Sequence, residues 1–188
     1  MNYVCDKTAR ADTLARRLAS PVENVTENFY NDYVETRAKW ALNNRDGVQT
    51  EEIYAVNMKN GVEVGRITDQ NYSSAIKRTS LFNSKLKNAD KSGDEILLIH
   101  NHPLGLPPSI SDINALIENK NISGITVGHN GSIYKYTRPN KKISEDDWNI
   151  AMKHFKKYSD VTAMEKSLEV LGKNTDFQLK NYNLRRQL

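Results

Sequence analysis

Two histidines separated by a single residue, with an aspartate ten positions after the second, are the side chains in this sequence best suited to hold a metal ion. They lie in Ile99-His100-Asn101-His102-Pro103-Leu104-Gly105-Leu106-Pro107-Pro108-Ser109-Ile110-Ser111-Asp112. In an extended chain, residues two apart share a face, so His100 and His102 can present their imidazoles to one point while Asn101 turns away. On a helix, residues three apart lie nearly one above the other, so Ser109 and Asp112 face the same way from its first turn. Two neutral imidazoles and one carboxylate make a three-ligand set that leaves the fourth position of a zinc ion to water, the arrangement of catalytic rather than structural zinc. Ser109-x-x-Asp112 also reads as a capping box, which needs no metal. Capping does not explain why two histidines close an apolar strand.

The elements around this segment must bring it together. Glu95 to His100 is apolar on both faces, which predicts a strand covered on both sides and central in its sheet. Pro103 to Pro108 is a loop, Ser109 to Asn119 a helix, Gly124 to Gly128 a strand, and His129-Asn130-Gly131 a turn into a strand from Ser132 to Tyr136. Upstream, Glu52 to Met58 and Val62 to Ile67 flank Asn60-Gly61, the favoured signal of a two-residue hairpin. Ser73 to Leu86 reads as a helix closed by the polar run Lys87 to Gly93. Further helices are expected over Lys7 to Ala19, Glu23 to Asn43 and, in two or three pieces, from Ile143 onward, where Trp148, Met152, Phe155, Met164, Leu168 and Leu171 recur. The expected fold is α/β, with a mixed, largely antiparallel central sheet flanked by helices. The expected division is an N-terminal helical extension over 1–47, a core over 48–140 and a C-terminal helical extension over 141–188.

Composition bounds the function. With 38% hydrophobic and 27% charged residues, the 188-residue chain can bury a core. A net charge of +4 is spread among acids; Lys153 to Lys157 and Arg185-Arg186 read as solvated faces more readily than as a nucleic-acid footprint, so such a partner is open but weakly indicated. Cys5, the one cysteine, excludes an internal disulfide and any multi-cysteine zinc motif, and with no nearby histidine it reads as an ordinary apolar residue. No apolar run reaches membrane-spanning length and the first residues lack a signal-peptide core, so no membrane partner and a cytoplasmic setting are expected. His129, in a turn, and His154, in a lysine-rich helix, read as surface residues.

His100-Asn101-His102-Pro103, Gly105 and Ser109-x-x-Asp112 together resemble the signature of JAMM (MPN-plus) zinc metallopeptidases, and are especially similar to the bacterial RadC-like members. The likeness covers residues 50 to 137. It implies a JAMM/cytidine-deaminase-like fold, a Zn2+ cofactor held by His100, His102 and Asp112, and hydrolysis of a peptide or isopeptide bond in a protein or peptide substrate. It further implies that Ser109 helps hold the oxyanion and that a glutamate on an early strand is the base. Six residues separate His102 from Ser109, one fewer than is usual in the family, and Ser111 is the fallback for the serine role. For the base the choice lies between Glu51 and Glu52, which strand alternation puts on opposite faces; the register of Glu52-Ile53-Tyr54-Ala55-Val56 favours Glu52. An HNH nuclease is not implied, because the residues of that motif are dispersed rather than consecutive. Two other readings stand beside the hydrolase: a RadC-like DNA-associated module of a mobile element, and a non-catalytic scaffold of the same fold.

Overall fold

The computed structural model describes residues 51–68, 78–102, 104–128 and 132–181. The helices expected over 7–19 and 23–43 lie outside the described residues, as do Cys5, His129 and Arg185-Arg186.

Among the described residues six strands form one mixed sheet: β1 (Glu52–Asn57), β2 (Glu63–Thr68), β3 (Ile96–His102), β4 (Ile122–Gly128), β5 (Ile133–Thr137) and β6 (Leu179–Asn181). Their order is β2-β1-β3-β4-β5-β6, with every neighbouring pair antiparallel except β3 and β4. The largely antiparallel α/β architecture expected from the sequence is therefore present. Four described helices accompany it, α1 (Ser80–Lys91), α2 (Ile110–Asn114), α3 (Glu145–Phe155) and α4 (Asp160–Thr175).

β3 is buried along its whole length, as its apolar pattern requires, and it runs on through both histidines rather than stopping at His100. Pairing to β1 on one side and β4 on the other satisfies its backbone. Ile53, Ala55, Ile96, Leu98, Ile122 and Tyr136 share a core with Phe82 and Leu86 of α1 and with Ile113 and Leu116. Burying each large aliphatic of this set contributes roughly 1.5–3 kcal/mol. Tyr136 lies across Gly124 so closely that an added Cβ would stand 2.2 Å from the phenol ring, which is why a glycine occupies the centre of β4. Tyr54, Val56, Leu97, Ile99, Ile125, Val127 and Ile133 alternate with these residues and are buried too.

Several boundaries differ from expectation for local reasons. The β1–β2 connection is five residues rather than two: Gly61, at φ 74°, donates its amide to Asn57 O, while the Asn57 and Asn60 side chains accept the amides of Lys59 and Val62. Those side-chain bonds shape a wider turn than Asn-Gly alone implies. Of the helix expected over Ser73 to Leu86, residues 73–77 lie outside the described residues; α1 opens at Thr79, which caps it by accepting from the Phe82 amide, and it runs past Leu86 to end before Gly93 at φ 75°. α2 is a short helix, whereas a helix to Asn119 was expected; beyond it the backbone tightens into i to i−3 turns, with the amides of Leu116, Ile117 and Asn119 donating to Ile113 O, Asn114 O and Leu116 O, while the Asn114 side chain bonds the amide and carbonyl of Ile143. The C-terminal part is more than a helical addition. Its strand β6 pairs with β5, Leu168 and Leu171 of α4 enter the core, and Tyr134 donates to Glu165 of α4 at 3.0 Å. The boundary expected at 140/141 thus has no counterpart in the packing.

Candidate metal centre

The site grows from the end of the parallel strand pair, the only one among the described residues. β3 and β4 run side by side to His102 opposite Gly128, and the crossover between them carries α2. Such a crevice beyond the carboxyl ends of parallel strands is where α/β sheets place ligands. Alternation along β3 sends His100 and His102 to one face, 4% and 9% exposed, and their rings meet edge to face with centroids 4.8 Å apart.

Three features of the intervening loop aim the third ligand. Gly105 adopts φ 68°, a left-handed conformation that a side chain would strain, and its amide returns to His102 O at 3.0 Å. Ser132, buried at the start of β5, donates its hydroxyl to Gly105 O at 3.0 Å and holds the turn down. Leu106 O accepts from His102 Nδ1 at 3.0 Å, so in the neutral ring Nε2 is the nitrogen left to a metal. Among the described loop residues, Gly105, Pro107 and Pro108 are buried, Leu106 is partly covered and Leu104 is 68% exposed.

α2 then opens at Ser109, whose amide and hydroxyl both donate to Asp112 Oδ2 at 2.7 Å, while the Asp112 amide donates to Ser109 Oγ at 3.2 Å. The capping box is thus formed, and it aims the carboxylate at the histidines. His100 Nε2 stands 3.0 Å from His102 Nε2 and 3.6 Å from Asp112 Oδ1, and His102 Nε2 stands 3.4 Å from Asp112 Oδ2. A tetrahedral zinc with bonds of about 2.0–2.1 Å separates its ligands by about 3.3–3.4 Å. The three spacings bracket that edge, so His100, His102 and Asp112, the one group of this kind among the described residues, fit a zinc ion as a ligand set.

The charges agree with the geometry. Burial raises the Asp112 carboxyl pKa, but His100 and His102 outweigh it and hold the pKa well below the ordinary value. Burial disfavours the charged form of His102, yet the hydrogen bond and charge of Asp112, then Glu51 and the Leu106 carbonyl, carry its pKa above 6.5. The two shifts predict opposite pH limbs for the metal-free protein. The raised His102 value contributes stability that is complete below 6.5 and is lost as pH rises through the higher folded value; the depressed Asp112 value contributes stability present above 3.8 and lost as pH falls through the lower folded one. Thermal melts of metal-free protein, minus those of metal-free His102→Ala, are expected to show the wild-type advantage shrink as pH rises from below 6.5 into the alkaline range. A difference independent of pH would refute the pairing.

The two candidate bases are separated by the sheet. β1 pairs Ile53 with His100, so Ile53 shares the histidine face and Glu52 lies with Asn101 on the other. Glu52 is buried there, its carboxylate accepting from Tyr54 Oη at 2.7 Å and its amide donating to Asn101 Oδ1 at 2.8 Å. Glu52, the base chosen from the sequence, therefore does not face the histidines. Alternation carries Glu51 to the histidine face, where its charge reaches His102. The choice of Glu52 followed the apolar strand motif, whereas both faces of β1 are apolar and its parity is seen in the pairing with β3.

Ser109 stands at the site beside Asp112, while Ser111 is exposed on α2 and takes no part. His154 is exposed, edge-on to Phe155, as expected of a surface residue. Thr126, whose hydroxyl lies 3.4 Å from His100 Nε2, and Ser132 were not singled out from the sequence, because both reach the site only through β4 and β5. No helix among the described residues is long and apolar enough to cross a membrane. Comparison with protein-family models, with curated proteins and with solved structures finds no match to this chain.

Proposed function

We propose that this chain is a zinc-dependent hydrolase of the JAMM type that cleaves a peptide or isopeptide bond. The observation that carries the reading is the convergence of two imidazole Nε2 atoms and one carboxylate at 3.0 to 3.6 Å, at the carboxyl end of a buried strand. A purely structural zinc site would be closed by a fourth protein ligand; here the described residues supply three.

Zinc in such a set supplies Lewis acidity, polarising a carbonyl and bringing the pKa of water towards about 7. The protein's own groups divide the remaining work. Glu51, on the histidine face, accepts the proton of the attacking water and delivers it to the leaving nitrogen. Ser109 can turn its hydroxyl from Asp112 to the developing oxyanion without stranding the carboxylate, because the Ser109 amide keeps its own 2.7 Å bond to the same oxygen. Leu106 O and the capping box hold His102 and Asp112 in place throughout.

Protein purified without chelator is expected to carry about one zinc per chain by elemental analysis. Its cleavage of a panel of fluorogenic peptides and lysine-linked isopeptides should stop on chelation and return with zinc. Wild-type protein that takes up no zinc ends the proposal.

A second reading, a nucleic-acid-associated module, draws on one surface. Tyr158 is 40% exposed at the α3–α4 turn with Lys157 Nζ 5.3 Å and Lys166 Nζ 5.1 Å from its ring centre, beside exposed Lys153 and Lys156. Aromatic faces among lysines suit single strands. If it operates, affinity for single-stranded DNA falls steeply between low and physiological salt, and Tyr158→Ala weakens it; no binding at low salt removes this reading.

A further inference from the structure

We propose that Asn101, the residue between the two histidines, is a positioning residue that decides which member of the Glu51-Glu52 pair joins the metal face. The inference rests on the reading of Glu51 as the base and explains how the fold selects it.

Two adjacent glutamates open β1, and the strand behind them is apolar on both faces: Ile53 and Ala55 on one side, Tyr54 and Val56 on the other, all buried. An amphipathic strand would fix its own parity, because a slip of one residue would turn its apolar face to water. β1 has no such preference, and a slip of one residue would exchange Glu51 for Glu52 over the histidines. Something polar must choose.

The paired residues of β1 and β3 end at Ile53 opposite His100. One step further, the Glu52 amide is taken by the side chain of Asn101 at 2.8 Å. Asn101 is fully buried and alternates away from His100 and His102, so its amide group reaches the start of β1 from the far face. The Tyr54 hydroxyl holds the Glu52 carboxylate on the same face at 2.7 Å. With Glu52 held by its backbone and by its side chain, Glu51 has the histidine face to itself. Asparagine suits the position chemically: it supplies an acceptor of the right reach without setting a second negative charge beside the buried Glu52 carboxylate.

The test uses Co2+ as the bound metal and the folded chain. In wild type the Glu51 carboxyl carbon signal should be lost to paramagnetic broadening while that of Glu52 is retained. Asn101→Leu keeps the branched shape of the side chain, somewhat enlarged, and removes the acceptor. It is expected to bind Co2+ still, to exchange the Glu52 amide hydrogen about fivefold faster, as loss of one hydrogen bond implies, and to lose the difference in broadening between the two glutamates. Wild-type exchange and wild-type broadening in Asn101→Leu would overturn the role given to Asn101. Broadening of Glu52 rather than Glu51 in the wild type would instead overturn the base assignment, and failure of the wild type to bind Co2+ would overturn the metal site itself. Should Asn101→Leu not fold, the scalar coupling across the hydrogen bond from the Glu52 amide to the Asn101 side-chain carbonyl, measured in wild type, decides: its presence supports the proposal and its absence overturns it.

Discussion

Glu51→Gln is expected to keep its zinc and to hydrolyse substrate about 10²- to 10⁴-fold more slowly than wild type, the usual worth of a positioned general base. Glu52→Gln, one residue away, should change the rate little. Its side chain is buried on the opposite face of the sheet with Tyr54, and burial followed by the Glu52 hydrogen bond raises the Tyr54 phenol pKa beyond the ordinary tyrosine range. A glutamine there still accepts from Tyr54 Oη, so the cost falls on stability and stays near 1 kcal/mol. Steady-state kinetics beside zinc analysis separates the two variants. Equal loss of rate in both would mean that the register of β1 does not govern the chemistry, and loss confined to Glu52→Gln would return the base to the sequence-based choice.

The second large effect concerns the ligands. His102→Ala and Asp112→Asn should each take zinc content from about one per chain to near none, since a catalytic site of three protein ligands has no spare donor. Excess zinc should also cease to stabilise these variants. A ligand at a hundred times its Kd adds about 2.7 kcal/mol to the folded state, so the wild type should melt several degrees higher with zinc and the variants should melt alike with and without it. Ser111→Ala, exposed on the same short helix, is the control that should behave as wild type.

These expectations indicate how much was legible in the sequence. The spacing of His100 and His102 needed only the two-residue repeat of a strand, and the Ser109–Asp112 pair only the first turn of a helix; both are local rules, and both hold in the structure. The six-residue loop between them, one short of the usual JAMM spacing, leaves Ser109 beside Asp112, because the capping box holds the two as a unit. What could not be read locally was anything decided by pairing. Glu51 and Glu52 are chemically alike, and the strand behind them offers no polar face to break the tie; the answer lies 49 residues away in Asn101. The strand β6 and the entry of Leu168 and Leu171 into the core were missed for a related reason. A three-residue edge strand has too few alternations to register as a pattern, and an apolar stripe on a helix does not say which sheet it meets.

In the loop from Leu104 to Pro108, mount and tip are different residues. Its buried residues and its bonds to His102 and Ser132 are committed to holding the ligands, which leaves Leu104 as the exposed side chain among those described. The mount and the tip are thereby uncoupled. Exchange of the tip for another side chain would therefore leave the three candidate donors in register, whatever that tip meets.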